Sequence, residues 1–378
     1  MVKPLTTKEK MTMKFGILSR VTQGAFRYQA WPTVTRAEDG TLFVGTSGHR
    51  LNHICPFGKD LMYVSTDEGQ TWSAPQIIND TYLDDRDAGM LAWGQGNLLL
   101  TWFDHPPRIF YDWEAQGERP HYTLTTPLAL GMRSLWETLP AEEVQAGSFT
   151  KLSRDNGKTW SKPRRAPVTS PHGPCRLGDG SLVYVGSMAP GEEYESRDNT
   201  TRIRAYKSTD DGRTWEPLSI LPLPADADGS VHEPYAIEMA NGDLLATVRH
   251  QSLTPPIMKS LKIYTAISHD KGKTWEKAEF LDLHGAPAHL LQHSSGAVVM
   301  TYSRRLEPMG QYARVSRDFG RTWSADLLIS PTPPDWDHGY PSSVELSDGD
   351  IFTVYYQKCP GDSYNSLQYT RWNLSEIG

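Results

Sequence analysis

The sequence predicts an all-β fold, a six-bladed β-propeller with about four short strands per blade, and three observations carry that prediction. First, one octapeptide recurs five times, as STDEGQTW from Ser65, SRDNGKTW from Ser153, STDDGRTW from Ser208, SHDKGKTW from Ser268 and SRDFGRTW from Ser316. Second, a polar turn ending in glycine leads into an apolar strand six times, at Gly40, Gly96, Gly180, Gly242, Gly296 and Gly349. Third, 31 Gly, 27 Pro, 12 Trp and 17 Tyr are spread along the whole chain of 378 residues, which suits many short strands around one axis.

Each octapeptide position has a structural job. Its Asp (67, 155, 210, 270, 318) accepts backbone N–H groups in a tight turn, and its Gly takes positive φ. Its Trp (72, 160, 215, 275, 323) offers a broad apolar plate between neighbouring sheets. A row of catalytic acids is the competing reading, but five copies of one hairpin turn point to structure. The glycine turns are 56, 84, 62, 54 and 53 residues apart, and the first five are each followed by one octapeptide. The sixth leads only to SLQYTRW, so Phe15 to Arg20 is expected to supply the outer strand of the last blade. The expected organisation is therefore a tail over 1–14 and one propeller domain over 15–378. The long second gap marks an insertion at about 104–147, a loop or short helix over the funnel mouth.

The net charge of −7 is mild and interleaved, with no basic face for nucleic acid. Cys55, Cys175 and Cys359 lack the spacing of a disulfide scaffold or a zinc site, and no metal or cofactor is expected. The first residues, MVKPLTTKEKMTMKFGILSR, hold no apolar stretch of about 7–15 residues, and nothing approaches the ~20 needed to span a bilayer. A soluble cytoplasmic protein is the expectation, or a periplasmic or secreted one where a leader precedes these residues. The oligomeric state is left open.

With these repeats the chain resembles the sialidase superfamily, whose propellers carry BNR or Asp-box repeats. The resemblance covers nearly the whole chain and implies, beyond the fold, a site in the central funnel. The segment HEPYAIEMANGDLLATVRH resembles the one that carries the family's glutamate and an arginine of its carboxylate-binding triad, at Glu233 and Arg249. GYPSSVELSDGDIFTVYYQ is similar to the segment with the catalytic tyrosine, at Tyr340. In the family the glutamate acts as base to the tyrosine, which attacks the anomeric carbon. A phenol with pKa near 10 needs such a base. Two departures stand out. Where the family has an R-I-P triplet, this chain has Ala30-Trp31-Pro32, so one triad arginine is missing. Where the general-acid Asp is expected, the chain reads GTSGHRLNH. The third triad arginine has its nearest match in Arg304 and Arg305, slightly early.

Residues at the ends of inner strands and in the following loops complete the candidate set. They include His49, Arg50 and His53, the run Asp84-Asp85-Arg86-Asp87, Asp104, His172, Arg176, His232, His250, His289, Tyr302, Asp335, Asp337 and His338. Any one of these taken alone reads more readily as a solvated or capping residue, and Arg86 reads equally as the neutraliser of an ion-pair knot. Together, several arginines converging on a funnel suit an anionic ligand. Catalysis is assigned to Tyr340, Glu233, Asp85 and Asp87. Substrate binding is assigned to Arg249, Arg50, Arg304, His49, Arg176, His289 and Asp104. The leading function is an exo-acting glycoside hydrolase for an acidic sugar: a sialic acid, another ulosonic acid or a uronic acid. A polysaccharide lyase on uronate glycans and a non-catalytic glycan-binding propeller are the alternatives.

Overall fold

Six antiparallel sheets stand around one axis, and the computed structural model describes residues 13–115, 127–188, 199–224, 229–252 and 261–377 of the chain. Blades 1, 2, 4 and 5 each consist of four consecutive strands. Their inner strands are Tyr28–Arg36, Asp84–Trp93, Ser230–Glu238 and Ala288–Gln292. The inner strand of blade 3 is broken into Val168–Thr169 and Cys175–Arg176, both paired with Leu182–Met188. Pro171 and Pro174 lie in the break, where a residue without an N–H cannot continue a ladder. Blade 6 runs Gly339–Glu345, Ile351–Lys358 and Asn365–Trp372, and takes its outer strand, Lys14–Ser19, from the other end of the chain. The expected closing strand is thus in place. Of the expected tail, residues 1–12 lie outside the described residues.

The core lies in the seams between blades. Tyr28, Val34, Val344 and Val354 join blades 1 and 6, and Phe43, Met62, Met90 and Leu98 join blades 1 and 2. Val183, Leu244 and Val248 join blades 3 and 4.

The octapeptides fasten these seams from outside. In the first, Asp67 Oδ1 accepts from Ser65 Oγ at 2.7 Å and from the Thr71 N–H at 2.9 Å, while Gly69 N–H donates to Ser65 Oγ. The same bonds recur at Asp155, Asp210, Asp270 and Asp318. The glycine packs on the preceding blade, Gly157 on Met62, Gly212 on Leu99, Gly272 on Leu218, Gly320 on Leu245 and Gly69 on Phe352. A Cβ at Gly69 would stand 2.5 Å from the Phe352 ring.

Among its described residues the insertion forms two α-helices, α1 (Pro107–Ala115) and α2 (Pro127–Thr138), and residues 116–126 lie outside the described part. Phe110 and Trp136 pack on Ile54 and Leu83, and the Trp136 indole N–H donates to the carbonyl of Tyr82. The helices therefore rest on the loops that lead into the blade 1 and blade 2 side of the funnel. No described helix is long and apolar enough to cross a membrane.

Candidate functional site

Four inner strands slip register near their starts, between Ala30 and Thr33, Arg86 and Gly89, His232 and Tyr235, and Gly339 and Ser342. In each bulge one residue other than glycine takes left-handed φ: Trp31 at 55°, Asp87 at 57°, Glu233 at 50° and Tyr340 at 53°. Bulges re-aim side chains, and left-handed φ at such residues costs on the order of 1–3 kcal/mol apiece. Four blades thus spend backbone strain at equivalent positions around one axis.

Three of the expected site residues meet there. Tyr340 Oη donates to Glu233 Oε1 at 2.6 Å, and Arg249 Nη1 donates to Glu233 Oε2 at 2.6 Å. The same Arg249 nitrogen lies 3.3 Å from Tyr340 Oη, and Nη2 donates to Gln251 Oε1 at 2.8 Å. His232 Nδ1 stands 3.3 Å from Glu233 Oε1. Burial alone would raise the Glu233 pKa, but the Arg249 and His232 charges hold its carboxyl well below the usual range. Burial and the Glu233 carboxylate lift the Tyr340 phenol well above 10. The resting state is therefore a neutral phenol aimed at an ionised carboxylate.

Trp31, in the triplet that lacks the arginine, is 1% exposed and fills the floor beside Tyr340. Its ring lies 6.4 Å from Tyr340 and 6.0 Å from Tyr356. The Arg86 guanidinium stacks over it at 4.0 Å and donates to the His53 carbonyl at 2.8 Å. Arg86 Nε has no hydrogen-bond partner. Next in sequence, Asp87 is 5% exposed, and its Oδ1 also lacks a partner. Burial, opposed by Arg86 and reinforced by the Glu233 charge, pushes the Asp87 carboxyl up to about 7. From blade 5, Arg305 donates to Tyr356 Oη and to the carbonyl of His338, both at 3.1 Å.

Several expected positions are corrected. Arg50 has no exposed surface: it pairs with Asp84 Oδ1 at 2.5 Å and donates to the carbonyls of Asp85 and His53, so it braces the floor. Asp85 faces away from the funnel and pairs across the strands with Asp104. It accepts from Thr81 Oγ1 at 2.6 Å, with Asp60 and Lys151 nearby. Arg304 turns outward to the carbonyl of Glu307, and its neighbour Arg305 is the one that turns in. His49 is half-buried with Lys59 and Asp80 as charged neighbours. His289 stacks on Tyr235 at 4.7 Å and meets His172 edge-on at 4.9 Å, forming a plug below the site. Arg176 lies beyond that plug with Arg36 and Glu238, in a cavity of about 350 Å³ lined by the later parts of all six inner strands. For Asp85 a register shift, and for Arg304 the choice between adjacent residues, decides the direction, and neither is written in residue types.

Sequence reasoning gave no role to Trp31, and left Arg86, Arg305, His53 and Asp337 among the candidates without assigning them to catalysis or substrate binding. The signal available was the funnel position of four of them, together with the oddity of a Trp in place of an apolar triplet residue. Among the described residues no group of three or more His, Cys, Asp or Glu has the geometry to hold a metal ion.

The comparisons agree with this geometry at the level of fold and family. Residues 174–371 match the BNR repeat-like domain, and residues 63–74 and 151–162 match the BNR/Asp-box repeat. Sialidase-2 of Cricetulus griseus is 24% identical over 210 residues, covering 48% of this chain and 55% of that protein. Sialidase-2 of Mus musculus is 25% identical over 173 residues, covering 42% and 45%. The alignments thus span about half the length of these curated relatives. A Dyadobacter fermentans DSM 18053 protein of unknown function superposes with a TM-score of 0.73 at 21% identity, over 96% of this chain and 99% of that one. The NanB sialidase from Streptococcus pneumoniae gives a TM-score of 0.66 at 14% identity, over 96% and 71%. These structural likenesses show the fold. With its repeats, its six blades and the match over its C-terminal half, the chain belongs to the BNR repeat-like domain family and is a sialidase-like propeller.

Proposed function

We propose that the protein is an exo-acting glycoside hydrolase for an acidic sugar, with Tyr340 as nucleophile and Glu233 as its base. The observation that carries this reading is the Tyr340–Glu233–Arg249 contact, in which a phenol O–H already points at a carboxylate held ionised. Tyr340 attacks the anomeric carbon as its proton passes to Glu233. The wide pKa gap at rest keeps the phenol neutral until substrate arrives. A sugar carboxylate entering beside Arg249 draws on the same guanidinium, weakens its hold on Glu233 and narrows that gap. Arg249, Arg305 and Arg86 supply positive charge around the Tyr340 ring. Asp87, with its carboxyl pushed up to about 7, offers an O–H to a sugar oxygen on the floor whenever it is protonated.

The test is turnover of a panel of aryl uronides, aryl sialosides and other aryl ulosonides. It is followed by trapping with the matching fluorinated acidic sugar and peptide mass spectrometry. A covalent adduct on Tyr340, absent in Tyr340→Phe, is the expected result. An unsaturated product absorbing near 235 nm, or no turnover across the panel, would overturn the reading.

A further inference from the structure

We infer that His53, held by Asp337, is the residue that exchanges a proton with the leaving-group oxygen in this reaction. The inference rests on the hydrolase reading above. His53 lies on the loop after the second strand of blade 1, and its Nδ1 is 3.0 Å from Asp337 Oδ1 and 2.9 Å from Tyr28 Oη. Asp337 also accepts from Tyr28 Oη at 3.0 Å and lies 3.4 Å from Tyr356 Oη, so the carboxylate is fixed by three blade-anchored groups. A carboxylate accepts, so Nδ1 carries the proton toward it and Nε2 is left to take up or give a second one. The backbone is pinned as well, since the His53 carbonyl accepts from both Arg50 and Arg86.

Position separates His53 from Asp87 as proton donor. Asp87, Tyr340 and Arg249 are each 5% exposed on the funnel floor. The His53 side chain is 20% exposed, and its ring meets Trp31 edge-on at 4.9 Å and lies 6.1 Å from the Trp336 ring. Trp336 is 44% exposed. His53 and Tyr340 therefore flank the same indole, with His53 on the outward side. An exo-acting enzyme holds the terminal sugar on the floor and lets the leaving group project outward, so a donor at the mouth reaches the glycosidic oxygen.

The step balances as follows. The His53 imidazolium gives its Nε2 proton to the glycosidic oxygen as the C–O bond breaks, while the Tyr340 oxygen bonds the anomeric carbon and its proton goes to Glu233. Water then adds to that carbon, its proton passes to the neutral Nε2, and Tyr340 leaves, taking its proton back from Glu233. Tyr28, Arg50, Arg86, Arg305 and Tyr356 are the titratable and charged groups packed around this pair. Burial lowers the His53 pKa more than Asp337 raises it, so turnover falls as pH rises through a value below 6.5.

The experiment compares His53→Gln with wild type on two aryl glycosides of whichever acidic sugar is turned over. One carries 2,4-dinitrophenol, which leaves without protonation, and the other carries phenol. The expected loss in kcat/KM is about 10²–10⁴-fold on the phenyl glycoside and under about 10-fold on the dinitrophenyl one, with the alkaline limb of the pH profile gone. Asp337→Asn, as a positioning change, gives the same pattern at smaller size with a shifted limb, and serves where His53→Gln fails to fold. Equal loss on both substrates overturns the inference, as does the leaving-group pattern in Asp87→Asn instead. In either case wild-type turnover leaves the hydrolase reading standing. No turnover by wild type on any substrate overturns both.

Discussion

Tyr340 and Glu233 stand 107 positions apart and on different blades, yet a 2.6 Å hydrogen bond joins them, and both hold left-handed φ. Neither backbone conformation is comfortable, and neither side chain would reach the other from a regular strand. Arg249, on the neighbouring strand of blade 4, donates to Glu233 and lies within 3.3 Å of Tyr340 Oη, so it ties Tyr340 to that blade.

Removing that tie has a measurable cost. Arg249→Met leaves the Glu233 carboxylate without its cation and is expected to lower stability by about 3–5 kcal/mol, the range for breaking a buried pair. Adding Glu233→Gln to the same chain should restore more than half of the loss, read by urea denaturation of the two single variants and the double. Additive losses would mean that the ion pair carries no coupling.

Substrate choice follows from the triplet Ala30-Trp31-Pro32. With Trp31 in the floor and Arg86 stacked on it from blade 2, the positive charge sits in a different place from a blade 1 arginine. A sialoside carboxylate loses one bidentate partner, and kcat/KM on an aryl sialoside should fall about 30- to 1000-fold below that on the best acidic sugar of another shape. Sialoside turnover matching or exceeding every other sugar in the panel would show that Arg86 replaces the missing arginine in full.

A pH effect on stability arises between blades 1 and 2. Asp85 and Asp104 face each other across the strands, and Asp60 is beside them; none of the three is more than 2% exposed. Burial pushes the Asp85 carboxyl up to about 6, and Asp104 and Asp60 also titrate above the usual range. A raised carboxyl pKa means that stability is fully present below the unfolded value near 3.9 and is lost as pH rises through about 6. The melting temperature should therefore drop between pH 5 and pH 7.5. Asp104→Asn should flatten that drop, with a gain of about 1–3 kcal/mol at neutral pH. A wild-type melting temperature that climbs over this interval would show the cluster ionised throughout.

The octapeptide aspartates serve the rim. Asp210→Ala removes acceptors for Thr214 N–H, Arg213 N–H and Ser208 Oγ and should cost about 1–2 kcal/mol, with turnover per folded molecule unchanged. Loss of activity in a protein of wild-type stability would place this aspartate in the site after all.

The repeats made the architecture legible, because S-x-D-x-G-x-T-W is a local device whose bonds close within the octapeptide itself. Glu233, Arg249 and Tyr340 were legible through their surrounding segments. What residue types did not convey was direction. Asp85 and Asp87 read alike in DDRD, but the shift between Arg86 and Gly89 sends the first between blades and the second into the funnel. Arg304 ends its strand and Arg305 follows it, and only the second turns inward. Arg50 read as a ligand-binding cation because its partner Asp84, 34 positions later, is found only in three dimensions.

The pairing of Lys14–Ser19 with Asn365–Trp372 has a temporal consequence. During synthesis the first of these segments emerges from the ribosome long before its partner exists, so blade 6 is completed last, from both directions along the chain. Tyr340 belongs to that blade. The nucleophile of the proposed reaction thus sits in the blade that shuts the ring, and a nascent or N-terminally clipped chain leaves that blade without its outer strand.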